Sequence, residues 1–236
     1  MMIDIEKLQK LHDKFLYFVK IENNEIFINF KDCKIFQKEE GYKEQIYNEA
    51  RSILTNELPK KPTFGNGDIH KIIVSTINVT ADYSQPNNLV NYWTVKDNFK
   101  KIIVSNDLEE TLFKFYKTYE VDEDYFFNEL HKLKLSYNLI AYLFFIKDRE
   151  KYLPISQQRF NKIFESLKIQ FDMNETSWDN YKTFISIIKD VKNFLKKNKI
   201  KTTLLDAHSF VWFTGNRILI EEEQNKLNNN SNNKME

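Results

Sequence analysis

Apolar residues recur at helical spacing along most of the chain. Ile5, Leu8, His12, Phe15 and Val19 mark one face of a first helix ending near Lys20. The period then shortens. Ile26, Ile28 and Phe30 alternate with Phe27, Asn29 and Lys31, the pattern of a strand, which a short one near Ile35 could pair to make a small sheet. After Gly41 the helical period returns through Tyr42, Ile46, Ala50 and Ile53, and Pro59 and Pro62 close that segment. A capped short helix follows Gly67 and Asp68, and Leu89, Trp93, Phe99 and Ile103 suggest another after the loop from Ala81 to Asn88. Asp107 and Asp122 are placed to cap two further helices, through Leu108, Leu112, Phe115 and Tyr119 and through Phe126, Leu130 and Leu133.

The run Leu139 to Ile146 is apolar throughout and buried, and its period does not separate helix from strand. Lys147-Asp148-Arg149-Glu150 is a polar turn, after which Tyr152-Leu153-Pro154-Ile155 is an edge strand, a helix or an extended connector. Ser156 and Ser177 cap the two clearest helices, the first with Phe160, Ile163, Phe164 and Leu167 on its stripe. The second is long and buries Trp178, Tyr181, Phe184, Ile188, Val191 and Leu195. Thr203-Leu204-Leu205-Asp206 fits a capping box opening a helix that is apolar nearly all round and therefore interior, with Gly215 placed to end it. The expected fold is α+β and predominantly α-helical, a small N-terminal strand pair joined to a larger helical C-terminal part. Its divisions are 1–86 for the α+β part, 87–220 for the helical domain, and 221–236 for a disordered tail or linker rich in Asn, Lys and Ser.

Composition narrows the function classes. Thirty-five basic against thirty-four acidic residues leave a net charge of +1 over 236 residues, so any pull on nucleic acid must come from a local patch. Four glycines leave no GxxxxGK[ST] or GxGxxG phosphate cradle. No run approaches the roughly 18 apolar residues of a membrane span, and no signal peptide opens the chain, so a cytoplasmic protein without membrane contact is expected. The single cysteine, Cys33, permits no internal disulfide and reads as a packing residue. His12, His70, His131 and His208 share no metal-ligand spacing, so neither a metal nor a cofactor is expected. Asp206 and His208, two residues apart on a helix, point about 200° apart and cannot cooperate directly. Asp206 is explained by its cap and His208 as an interior, hydrogen-bonded histidine. No catalytic residue is assigned.

Two binding features stand out. Lys189, Lys192, Lys196, Lys197, Lys199 and Lys201 crowd the end of the long helix, where they either meet phosphates or simply oppose the helix macrodipole in water. Tyr92 and Trp93, beside Asn87, Asn88 and Asn91, are the pair best suited to line a pocket for an extruded base.

The succession Tyr137 to Lys147, Tyr152-Leu153-Pro154-Ile155, Phe160 to Phe164, Ser177-Trp178 with Tyr181, and Leu204 to Trp212 resembles the amino-terminal region of bacterial restriction and anti-phage defence proteins, especially McrB-like AAA+ systems. The likeness spans roughly Asn87 to Phe213 and rests on hydrophobic and aromatic landmarks. It implies a specificity or sensing module that binds DNA or modified DNA and works with an effector ATPase or nuclease, as a domain or as a separate subunit; lacking nucleotide-binding, metal and nuclease motifs, the chain is expected to be non-enzymatic. The alternative is a helical scaffold domain that docks an effector subunit without touching DNA.

Overall fold

The computed structural model describes residues 3–81, 87–90, 99–100, 102–118, 120 and 122–232, with side chains up to 228. Ten α-helices occupy them, and no strand occurs among the described residues. The expected α+β class with an N-terminal strand pair is therefore replaced by an all-helical one. The contacts form two compact units that do not follow the boundary expected at 86/87. One gathers Met1–Glu40, Gln157–Asn174 and Phe184–Glu236, the other Gly41–Ser156 and Glu175–Thr183.

In the first unit, α1 (Ile5–Asn23) is capped by Asp4, whose carboxylate accepts from the Glu6 N–H. The segment read as a strand is a loop. Asn29 Oδ1 accepts from the Asp32 N–H at 2.9 Å and turns the chain, and Glu25 caps α2 (Lys34–Glu40) by accepting from the Lys34 N–H at 3.1 Å. With 34–40 helical, no second strand is left to satisfy a first, and an isolated strand would leave its backbone groups unpaired. The alternation is misleading because Phe30 is buried and the half-buried Phe27, three residues before it, packs on Phe15 and Phe30, while Ile26 and Ile28 are 85% and 77% exposed. Phe15 lies at the centre of this core, with Phe27 at 4.9 Å, Phe210 at 5.1 Å and Phe213 at 5.6 Å between ring centroids, mostly edge to face.

Two helices from the C-terminal third of the chain complete the packing of that unit. α8 (Gln157–Ser166) packs on α10 (Leu204–Asn232), and α10 also packs on α1 and α2. The capping box is present: Thr203 Oγ1 accepts from the Asp206 N–H at 3.0 Å and Asp206 accepts from the Thr203 N–H at 2.8 Å. Leu204, Ala207, His208, Phe210, Val211 and Phe213 are all buried, as an apolar surface on every side requires. Gly215 does not end this helix, which runs on to Asn232 through the segment whose composition promised no fold. Residues 222–228 are exposed, so that last stretch is helix without a core, joined to the rest by Glu221 on Lys14 at 2.6 Å and Glu222 on Ser166 at 2.8 Å.

Arg217 clasps three helices of this unit. Its guanidinium takes Glu22 of α1 at 2.5 and 2.6 Å and Glu39 of α2 at 2.8 and 3.0 Å, while its plane lies 3.5 Å from the Phe213 ring centroid. Burial works against its charge, but the two carboxylates more than compensate and raise its pKa. Arg217→Ala should destabilise this unit by about 2–3 kcal/mol, because two carboxylates lose a bidentate partner and the ring loses its cation. Arg217→Lys should recover only a minor part, since an ammonium has no fork. Urea unfolding of the three proteins measures both, and full recovery with lysine would show that charge alone matters.

The second unit is built round α7 (Tyr137–Lys147), in which every residue from Leu139 to Ile146 is at most 1% exposed. This settles the ambiguous apolar run as a helix, capped by Ser136 through the Leu139 N–H. Around it stand α3 (Tyr42–Glu57), α4 (Asp68–Ile77), α5 (Asn106–Lys117) and α6 (Glu123–Lys132). Ser105 rather than Asp107 caps α5, and Asp122 caps α6. Buried tyrosines reach main-chain oxygens, Tyr142 at Thr76 (2.6 Å) and Tyr116 at Leu143 (3.1 Å). Tyr152-Leu153-Pro154-Ile155 is an extended connector, fixed where Leu153 N–H and C=O both meet the Tyr181 hydroxyl, at 3.1 and 2.8 Å. α9 (Trp178–Lys197) starts in this unit, capped by Ser177 through the Asn180 N–H, and its residues from Phe184 belong to the first.

α4 has an unusual cap. Asp68 is its first helical residue, and the N-cap is Gly67, which has no side chain to offer. Glu109, fully buried on α5, does the work instead: Oε2 accepts from the N–H groups of Gly65 (2.7 Å) and Gly67 (3.1 Å), and Oε1 from His70 (2.9 Å). Gly65 and Gly67 turn their N–H groups inward only with φ of 83° and 88°, in the left-handed region. Burial raises the Glu109 pKa, but the backbone donors of His70, Gly67, Gly65 and Ile69 outweigh it and hold the carboxyl below its usual range.

Candidate functional site

The six lysines of the sequence reading all lie in the first unit. Lys189, Lys192 and Lys196 share a stripe along α9, and Lys197, Lys199 and Lys201 follow at and beyond its end. All are exposed except Lys192, which is half-buried. None makes an ion pair among the described residues, whereas Lys10, Lys14, Lys71, Lys114, Lys132 and Lys182 elsewhere each do. Lys199 itself has φ of 63°, so it takes the left-handed closing position that glycine usually fills, with the Ile200 N–H returning to the Leu195 carbonyl at 3.1 Å.

Tyr92 and Trp93 lie outside the described residues. His208 is 2% exposed among the rings of Phe160 (5.1 Å) and Phe184 (6.1 Å), as an interior histidine should be. No cluster of three metal-ligating side chains occurs among the described residues, and no helix there is long and apolar enough to cross a membrane.

A second feature arises from residues the sequence scatters. A cleft of about 500 Å³ opens in the second unit, with Tyr47 and Arg51 from α3, Tyr116 and Lys117 from the end of α5, Glu123 from α6, and Lys147, Asp148, Lys151 and Tyr152 at and after the end of α7. Lys147 is the last residue of an interior helix, so its long chain emerges half-buried. Its ammonium donates to the Phe115 carbonyl and, at 2.9 Å, to that of Thr118, closing the carbonyl end of α5. Burial first, then the Arg51 charge, pushes the Lys147 pKa down to about 8. The Tyr152 hydroxyl donates to Glu123, and burial together with that carboxylate raises its pKa. Arg149 does not line the cleft; it is paired with Glu44 at 2.9 Å and lies 4.8 Å from the Tyr47 ring centroid.

The one sequence signal for this cleft is the charged run Lys147-Asp148-Arg149-Glu150 between two apolar stretches, which reads simply as a turn. No protein-family model, curated protein or solved structure matches the chain.

Proposed function

We propose that the chain is a non-enzymatic recognition module that binds DNA through its backbone phosphates, serving a bacterial restriction or anti-phage defence system alongside an effector ATPase or nuclease. The observation that carries the DNA reading is the lysine surface at the end of α9. Residues 189–201 hold six lysines and one aspartate, five net positive charges against +1 for the whole chain. Those lysines form no ion pairs among the described residues, so they release condensed counterions from DNA without first breaking protein contacts. The assignment to defence rests on the landmark resemblance of 87–213.

Fluorescence anisotropy of labelled duplex, unmodified and cytosine-methylated, tests this at two salt concentrations. Contact with four to six phosphates gives a log–log salt slope of about −4 to −5. Lys196→Glu combined with Lys197→Glu should weaken binding by about tenfold or more and flatten that slope by about 2. Absence of salt-sensitive binding would end the DNA reading. Ile26 and Ile28, exposed on the α1–α2 loop, favour the second reading, a scaffold that docks a protein subunit. A stable complex with an effector subunit, lost in Ile26→Asp with Ile28→Asp and indifferent to DNA, would establish it.

A further inference from the structure

We propose that the cleft of the second unit binds a small phosphorylated molecule, its phosphate held between the Arg51 guanidinium and the Lys147 ammonium and its organic part against tyrosine rings. Arg51 reaches the cleft from α3, and among the described residues no carboxylate or carbonyl oxygen accepts from it. A guanidinium is always charged and carries five N–H donors in a fork that matches phosphate oxygens. Here it is only partly exposed and next to a second cation, an arrangement that is unfavourable until an anion lies between them.

The acids of the cleft do not neutralise Arg51. Glu123 takes the Tyr152 hydroxyl, Asp148 takes the Glu150 N–H at 2.9 Å, and Glu120 shares the lining with Lys117, whose ammonium reaches the Leu58 carbonyl at 3.3 Å. Lys151 adds positive charge. The volume, about 500 Å³, exceeds a bare phosphate and falls within the range of small-molecule sites, and Tyr47, Tyr116 and Tyr152 supply ring surface for the remainder. The site lies in the other unit from the lysine surface and stands or falls independently of DNA binding.

Isothermal titration of the full chain with inorganic phosphate, pyrophosphate and adenosine monophosphate tests the proposal. The expected result is saturable binding, tighter for the monophosphate ester than for phosphate alone, and weakened about tenfold or more in Arg51→Gln but less in Arg51→Lys. The wild-type protein provides a readout that needs no variant. A phosphomonoester keeps its charge above pH 7, so affinity should fall as pH rises through about 8, where Lys147 loses its proton. No saturable binding of any of the three probes at up to about 10 mM would overturn the proposal. So would Arg51→Gln binding as tightly as wild type, or an Arg51→Gln protein that loses duplex binding while no small phosphate binds, which would make the cleft a contact for the DNA backbone.

Discussion

Glu109→Gln should cost the protein about 2–4 kcal/mol of stability, a large share of what a domain has in total. The carboxylate is fully buried and accepts from Gly65, Gly67 and His70 at 2.7–3.1 Å, at the positive end of α4. A glutamine has one acceptor oxygen in place of two, and its amide nitrogen would meet backbone N–H groups head on. At least one buried donor then goes unpaired, and the remaining bonds lose their charge assistance. Glu109→Ala, which abandons every donor and opens a cavity, should cost more. The folded-state pKa of Glu109 is depressed, so its contribution is fully present above the unfolded carboxyl value of about 4.3 and is lost as pH falls through the lower folded value. Within that window the unfolded chain binds the extra proton, and stability rises with pH. Urea unfolding from pH 3 to 7 should therefore show a shallower acid-side decline in Glu109→Gln than in wild type. Parallel pH profiles would show that the Glu109 carboxyl titrates alike in the folded and unfolded chain, so that its backbone donors add nothing to the stability of its charged form.

This cap could not be read from the sequence. The periodic positions of α5 are Leu108, Leu112 and Phe115, and Glu109 sits beside them like any solvated acid. What buries it is a loop more than forty residues earlier, whose glycines look locally like a turn before a helix capped by Asp68. Helices with a one-sided stripe were legible, α3, α8 and α9 above all, because periodicity reports burial directly. The strand at 26–30 failed for a related reason: alternation shows that a segment can have two faces, and only a partner decides whether it pairs. The lysine surface was legible because it lies within thirteen consecutive residues. The cleft was not, because Arg51, Lys117 and Lys147 are brought together only by the packing of α3, α5 and α7.

Gly215→Val should be the most damaging substitution in the first unit, costing about 3 kcal/mol or more. A glycine soon after an apolar run reads as a helix stop, yet α10 passes straight through it. Its purpose is contact: a Cβ there would meet Ile163 of α8 at 2.5, 2.9 and 3.1 Å, three atoms of one side chain that is itself fully buried. Two opposing effects decide the alanine variant. Helix propensity favours Gly215→Ala by about 1 kcal/mol in a free helix, while forcing a methyl into a filled contact costs about 1–3 kcal/mol. With Ile163 enclosed, the clash should prevail and Gly215→Ala should be destabilised by about 1–2 kcal/mol. Ile163→Ala alone should cost about 2–4 kcal/mol through its cavity. The double variant should be more stable than the sum of the two predicts, by about 1 kcal/mol or more, because the new methyl occupies space the isoleucine leaves. A thermodynamic cycle from urea unfolding measures that coupling. Additive effects, or a Gly215→Ala protein stabilised as propensity alone would have it, would mean that α8 and α10 are not held at this distance and that the glycine is tolerated rather than required.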